Sequence, residues 1–350
     1  MWGQSAAVPK SLEVRNMFSY ILRRLLLLIP LLLAISIVVF LMIHLIPGDP
    51  VQIMLGDKGT AEDAQRLRRE LGFDQPLHIQ YFKFLSNLLQ GDLGRSIRNR
   101  NPVINEIGAA FPATIELTIL SMIFASLIGI AAGIISAIKQ YSLIDNLTMV
   151  GALLGISMPV FWVGMMLMLV FGSRLGWLPI SGRISRMADL DVITNFYLLD
   201  SILTGNWAAF RSTFLHLILP AITLATIPVA MIARMTRSTT LEVLNQDYIR
   251  TARAKGLPEK VVILKHVLKN ALIPVVTIIG LQFGSFLGGA VLTETVFARA
   301  GVGRLLINGI LGRDFPVIQG AVIFIASFFV FINLIVDILY SYLDPRIHYS

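Results

Sequence analysis

An all-α protein that crosses the membrane six times is what this sequence predicts, on three observations. Apolar residues fill 55% of its 350 positions and charged residues only 14%, whereas a soluble globular domain carries about 25% charged residues. Mean hydropathy is +0.75. Apolar runs able to cross about 30 Å of hydrocarbon at about 1.5 Å per residue recur six times, at about 25–46, 113–138, 147–172, 214–233, 271–292 and 317–340.

Residues 1–24 read as an N-terminal tail, polar and without a periodic apolar face over 1–16. The first span, 25–46, follows Arg23 and Arg24 and runs straight on into IHLIPGDP with no small-residue cleavage site, so it reads as a retained anchor. Segment 47–112 is patterned as helices. Thr60 with Asp63 can form a capping box, Leu71-Gly72 ends that helix, and Pro76 opens another that reaches about Gln90. Two readings stand for this segment: a platform on which a partner docks, or a cap that seals the outer mouth.

Residues 113–340 form the membrane core with five further spans. In the fourth, Pro220 and Pro228 each remove a backbone donor and are expected to bend the helix. In the fifth, GLQFGSFLGGA sets Gly280, Gly284, Gly288 and Gly289 around Gln282 and Ser285. Glycine at this spacing lets helices approach closely, as in a packing seam against a second subunit. The alternative is that Gln282 and Ser285 face a wet pathway, because an unpaired polar group in hydrocarbon costs several kcal/mol.

Charge is scarce in the spans. Glu116 and Asp337 lie near span ends and read as interfacial side chains, and the absence of midplane charge argues against a proton- or ion-coupled carrier. His44 and His216 have no partner at ligand spacing and read as interfacial, not metal-binding. Cysteine is absent, which excludes disulfides and thiolate sites. The net charge of +8 belongs to no soluble domain, so anionic lipid or an acidic partner surface suits it better than nucleic acid.

Orientation follows from Lys and Arg. Loop 47–112 exceeds about 60 residues and is set aside, which leaves fourteen of these cations on the side of the termini and seven on the other. Both termini are therefore expected in the cytoplasm, with residues 341–350 as a short C-terminal tail.

Between the fourth and fifth spans, loop 234–270 contains DYIRTARAKGLPEKVVILKHVLKNALIP, read from Asp247 to Pro274. Asp247 can cap a helix from Tyr248; Gly256 and Pro258 supply a stop and a new start; Glu259 stands in the next first turn. Tyr248, Thr251, Ala252 and Lys255 then share one face. The second helix sets Val261, Val262, Leu264 and Leu268 among Lys260, Lys265, His266 and Lys269, then runs into the fifth span. From the residues alone the loop either lies on anionic headgroups or docks on a partner.

RTARAKG followed by KNALIP resembles the cytoplasmic EAA loop of ABC-transporter permeases, with Arg250, Thr251 and Ala252 in the three places of Glu-Ala-Ala. FLMIHLIPGDP, LTETVF, GRDFPVIQG and NLIVDILYSYLDPRI extend the resemblance from end to end, toward permeases of the peptide/dipeptide importer family. Where relatives have Trp-Pro-Gly-x-Gly, this chain has Phe297 to Gly303 with Arg299 inside and the two glycines kept. The resemblance implies a type I importer permease fold in the bacterial inner membrane. It implies transport of dipeptides, or through the same machinery of glutathione, a nickel complex or an oligopeptide.

It also implies three kinds of protein partner: a homologous second permease, two ATP-binding subunits, and a periplasmic or lipid-anchored binding protein that docks on the outer segment. Asp247, Tyr248, Arg250, Thr251, Ala252, Arg253, Ala254, Lys255 and Gly256 would couple to the ATPase. Met17, opening MFSYILRR, looks like a natural start for this family. No G-x-x-x-x-G-K-[ST] occurs, so ATP and Mg are expected on the partner subunits, with no cofactor or metal here. Five scattered histidines without H-E-x-x-H, and no G-x-S-x-G, give no enzyme site.

Overall fold

The computed structural model describes residues 10–45, 50–55 and 60–343, and these contain helices and no β-sheet. Most of PGDP, the terminal DPRI and residues 1–9 fall outside the described residues. Helix α1 (Lys10–Leu45) begins well before the span expected at residue 25. Segment 47–112 holds α2 (Pro50–Leu55), α3 (Ala61–Leu71) and α4 (Leu77–Leu89). Its capping box is present: the Thr60 hydroxyl accepts from the Asp63 N–H at 3.1 Å, and the Asp63 carboxylate accepts from the Thr60 hydroxyl at 2.6 Å and the Thr60 N–H at 3.2 Å. Those two bonds hold the Asp63 carboxyl below its ordinary value. Gly72 ends α3 at φ 73°.

Helix α5 (Val103–Ile138) starts well before the span expected at 113. Val103 and Ile107 are buried in one apolar cluster with Val302, Val317 and Ala321, which stabilises the added turns. The span read at 147–172 is not one straight crossing. It is α6 (Leu143–Ser157) and α7 (Val160–Leu167, continued by the π-helical turn Met168–Arg174), bent by 108° at the break. The cause is Pro159: the residue before a proline is driven out of the helical region, and Met158 sits at φ −84°, ψ 135°.

Short α8 (Tyr197–Leu203) precedes α9 (Trp207–Leu244), which runs unbroken through Pro220 and Pro228. After α10 (Asp247–Ala254), α11 (Glu259–Val261) continues through a π-helical turn, Val262–Val267, into α12 (Leu268–Val296). The chain closes with α13 (Val302–Gly312) and α14 (Phe315–Leu343). Five of the described helices are long and apolar enough to cross a membrane, and the bent α6–α7 pair makes a sixth when its two halves are taken as one broken span.

The core is built on α5, α9 and α12, where Leu117, Leu217, Leu224, Ile232, Val275 and Phe286 are buried together. Helices α5 and α9 approach through Gly129 and Gly133. A Cβ on Gly133 would stand 2.5 Å from the Ala233 carbonyl oxygen, and one on Gly129 would meet Ile232 at 2.8 Å. The α12 glycines, expected against a second subunit, pack largely inside the chain. Gly280 faces Val336, Gly284 faces Phe329 and Asn333 of α14, and Gly289 faces Leu224 of α9, which leaves Gly288 open.

Candidate functional site

The basic loop is a small folded unit. Gln246, not Asp247, is the N-cap of α10, with φ −73°, ψ 146° and no side-chain capping bond. Asp247 falls instead in the first turn, where its charge suits the helix dipole, and makes only an exposed pair with Arg250 at 3.6 Å. The expected shared face is also corrected. Ala252 turns inward with Ile249, and both are buried against Val262, Val267 and Ala271. Tyr248, Thr251 and Lys255 stay on the outside with Asp247, Arg250, Arg253 and Ala254. Ile249 was the signal: it is the one large aliphatic residue in α10, three positions before Ala252, and this i, i+3 pair sets the inner stripe.

Gly256 has φ 75°, and nothing lies within 4 Å of where its Cβ would be, so backbone conformation alone demands glycine here. Pro258 is the N-cap from which Glu259 starts α11. Arg253 spans the hinge and donates from Nε and Nη2 to the Glu259 carboxylate at 3.1 and 2.6 Å. Asn270 Nδ2 donates to the Tyr248 hydroxyl at 2.8 Å, which ties α10 to the root of α12. The loop thus presents a fixed, mostly basic outer face on an apolar pin.

The two pathway candidates lie on α12. Gln282 is half-buried, and Ser285 is exposed with its hydroxyl donating to the Gln282 carbonyl at 2.8 Å. Ser285 and Gly288 line an open cleft of about 460 Å³, with Val322, Ile325 and Phe329 across it.

Glu116 is not interfacial. Its carboxylate is buried and accepts from Arg183 at 3.1 Å, Arg299 at 2.9 Å and the Leu198 N–H at 2.8 Å. Arg183 also lies over the Tyr197 ring at 3.6 Å and donates to the Asn195 carbonyl at 2.6 Å. Burial pushes the Arg299 guanidinium down to about 10, with Glu116 pulling the other way, so it stays charged at neutral pH. Beside it Glu294 accepts from the Thr114 hydroxyl at 2.6 Å and the Arg304 N–H at 3.1 Å. A Cβ on Gly301 would overlap that carboxylate. Both glycines of the 297–303 turn are therefore used, and Arg299 fills the place beside them. Asp337 lies in α14, and His44 and His216 bond within the chain, His44 to the Phe40 carbonyl and Gln80, His216 to the Ser212 carbonyl.

Apolar helices of membrane-spanning length, glycine-tight contacts and charges gathered at the helix ends make this a polytopic helical membrane protein. The chain belongs to the family of binding-protein-dependent transport system inner membrane components. That family's description matches residues 129–349, and its N-terminal companion matches residues 17–118. A dipeptide transport system permease protein of Alkalihalophilus pseudofirmus is 51% identical over 333 residues, covering 95% of this chain and 100% of the relative. A di/tripeptide transport system permease protein of Pseudomonas aeruginosa is 48% identical over 336 residues, with the same coverage of 95% and 100%. The fold is shared with the MetNI methionine ABC transporter in inward-facing conformations, at a TM-score of 0.50 and 16% identity over 66% of this chain and 93% of that one.

Proposed function

We propose that the chain is one of two homologous permease subunits of an ATP-driven dipeptide importer in the bacterial inner membrane, with both termini cytoplasmic. The observation that carries the coupling role is the pinned two-helix unit at 247–259, whose outer face of Tyr248, Arg250, Thr251, Arg253 and Lys255 is held in place by Ile249 and Ala252 behind it. A rigid basic knob suits an acidic groove on an ATP-binding subunit, and its direct continuation through α11 into α12 lets docking pull on a core helix. The two ATP-binding subunits hold ATP and Mg and carry out hydrolysis. A periplasmic or lipid-anchored binding protein delivers the cargo and docks on the segment α2–α4. Ser285 and Gln282 line the pathway beside the open cleft on α12.

The test is reconstitution in proteoliposomes with the second permease, both ATPases and the binding protein. Dipeptides should stimulate hydrolysis and accumulate inside only when ATP is present. Uptake that proceeds without ATP would reject the reading.

A further inference from the structure

Helix α6 is held differently from every other core helix. Asp145, in its first turn, is its only buried residue, and its large apolar side chains, Leu143, Leu147 and Leu153 among them, are exposed. An apolar cleft of about 410 Å³, lined by Phe124, Leu147, Thr148, Gly151, Thr226 and Ala230, separates much of α6 from α5 and α9. A Cβ on Gly151 would meet nothing within 4 Å. Packing of α6 on α9 tightens only toward its far end, where a Cβ on Gly155 would meet Thr226 at 3.4 Å.

Asp145 holds the near end of α6. Its carboxylate accepts from Arg237 Nε and Nη2 of α9, both at 2.7 Å, from the Tyr141 N–H at 2.9 Å and from the Ser136 hydroxyl at the end of α5. Two parallel bonds from a guanidinium fix direction as well as distance. Among the described residues this is the one ion pair between α6 and α9. Arg237 lies two turns before α9 ends and the 247–259 unit begins, and at its far end α6 turns through 108° into α7. There Gly164 packs on Phe297 and Thr223, so a Cβ would meet each at 3.2 Å. Helix α6 is a lever with a pivot at Pro159 and a single handle at Asp145.

We infer that Asp145 and Arg237 are positioning residues for transport: their bidentate pair makes α6 follow α9, so that displacement of the 247–259 unit opens or closes the cleft between α6 and the α5–α9 pair. The role in transport rests on the proposed importer; the tethering of α6 does not.

The experiment separates the two. This chain has no cysteine, so it adds no background when spin labels are placed on exposed Leu154→Cys in α6 and Ser238→Cys in α9, in the full complex with cysteine-free partner subunits and with Asp145→Asn or Arg237→Lys added. Loss of one charge of this pair, whose Asp145 is buried and whose Arg237 is half-buried, is expected to broaden the α6–α9 distance distribution about twofold or more. Arg237→Lys, which keeps the charge but not the fork, should fall between. In proteoliposomes Asp145→Asn should lower uptake about tenfold while basal hydrolysis and complex assembly stay within about twofold. A distribution as narrow as the parent's would overturn the inference, whatever happens to uptake. So would a broadened one in which basal hydrolysis or assembly falls as far as uptake, since that marks a general packing role. Unaltered uptake beside a broadened distribution would overturn the transport role as well.

Discussion

The two ends of α5 are built on opposite plans. In its first half, Glu116 gathers Arg183 from the 176–196 segment and Arg299 from the turn after α12, while Thr114 reaches Glu294. Near its end, about 30 Å further along the helix axis, Ser136 shares one carboxylate, Asp145, with a single arginine. Beyond it the 247–259 unit is held by the Ile249 pin, the Asn270–Tyr248 bond and ion pairs whose side chains are all exposed. One end is over-determined and the other is held at single points. A frame that is fixed at one end and hinged at the other is what an element moved from the hinged end requires.

Breaking the fixed end should have the largest effect. Glu116→Ala leaves Arg183 and Arg299 buried without their shared carboxylate, and removing one partner of a buried pair costs about 3–5 kcal/mol. The variant should show a lower yield and a clearly lower thermal midpoint in detergent. A midpoint equal to the parent's would mean that the cluster adds nothing to the frame.

Ile249→Ala removes the pin from under α10, at a local cost of about 2–5 kcal/mol. Because the pin lies outside the α5–α9–α12 core, the thermal midpoint should move less than in Glu116→Ala while proteolysis near Lys255 accelerates. An equal fall in midpoint for both variants would erase the distinction between the two ends.

The smallest change is expected at the exposed cations. Lys265→Gln with Lys269→Gln removes headgroup contacts worth about 1 kcal/mol each. Membrane abundance and coupled hydrolysis should stay close to the parent's. A strong loss would favour a loop whose task is to lie on lipid.

The local features of this comparison could be read from sequence. The Thr60–Asp63 box, Gly72, Gly256 at positive φ and the helix restart at Pro258 each depend on residues within four positions of one another. The broken third span was legible too, since Met158-Pro159 carries the pre-proline restriction, but hydropathy alone averages over it. The buried pairs were not. Glu116 meets partners 67 and 183 positions away, and Asp145 meets Arg237 across 92, distances at which no periodicity or capping rule acts. The α12 glycines show the same limit from the other side: their spacing announces a close helix contact and leaves open which helix makes it.

The central claim is that the 247–259 unit transmits ATPase docking to the core, and Gly256→Val tests it most directly. A β-branched residue at φ 75° is strained by at least about 1 kcal/mol, with open space around it, so the strain falls on the angle between α10 and α11 and not on packing. In proteoliposomes holding both permeases, both ATPases and the binding protein, the variant should reach the membrane at near-parent amounts, yet lose dipeptide-stimulated ATP hydrolysis or its grip on the ATPase subunits. Full stimulation with normal assembly would contradict the account.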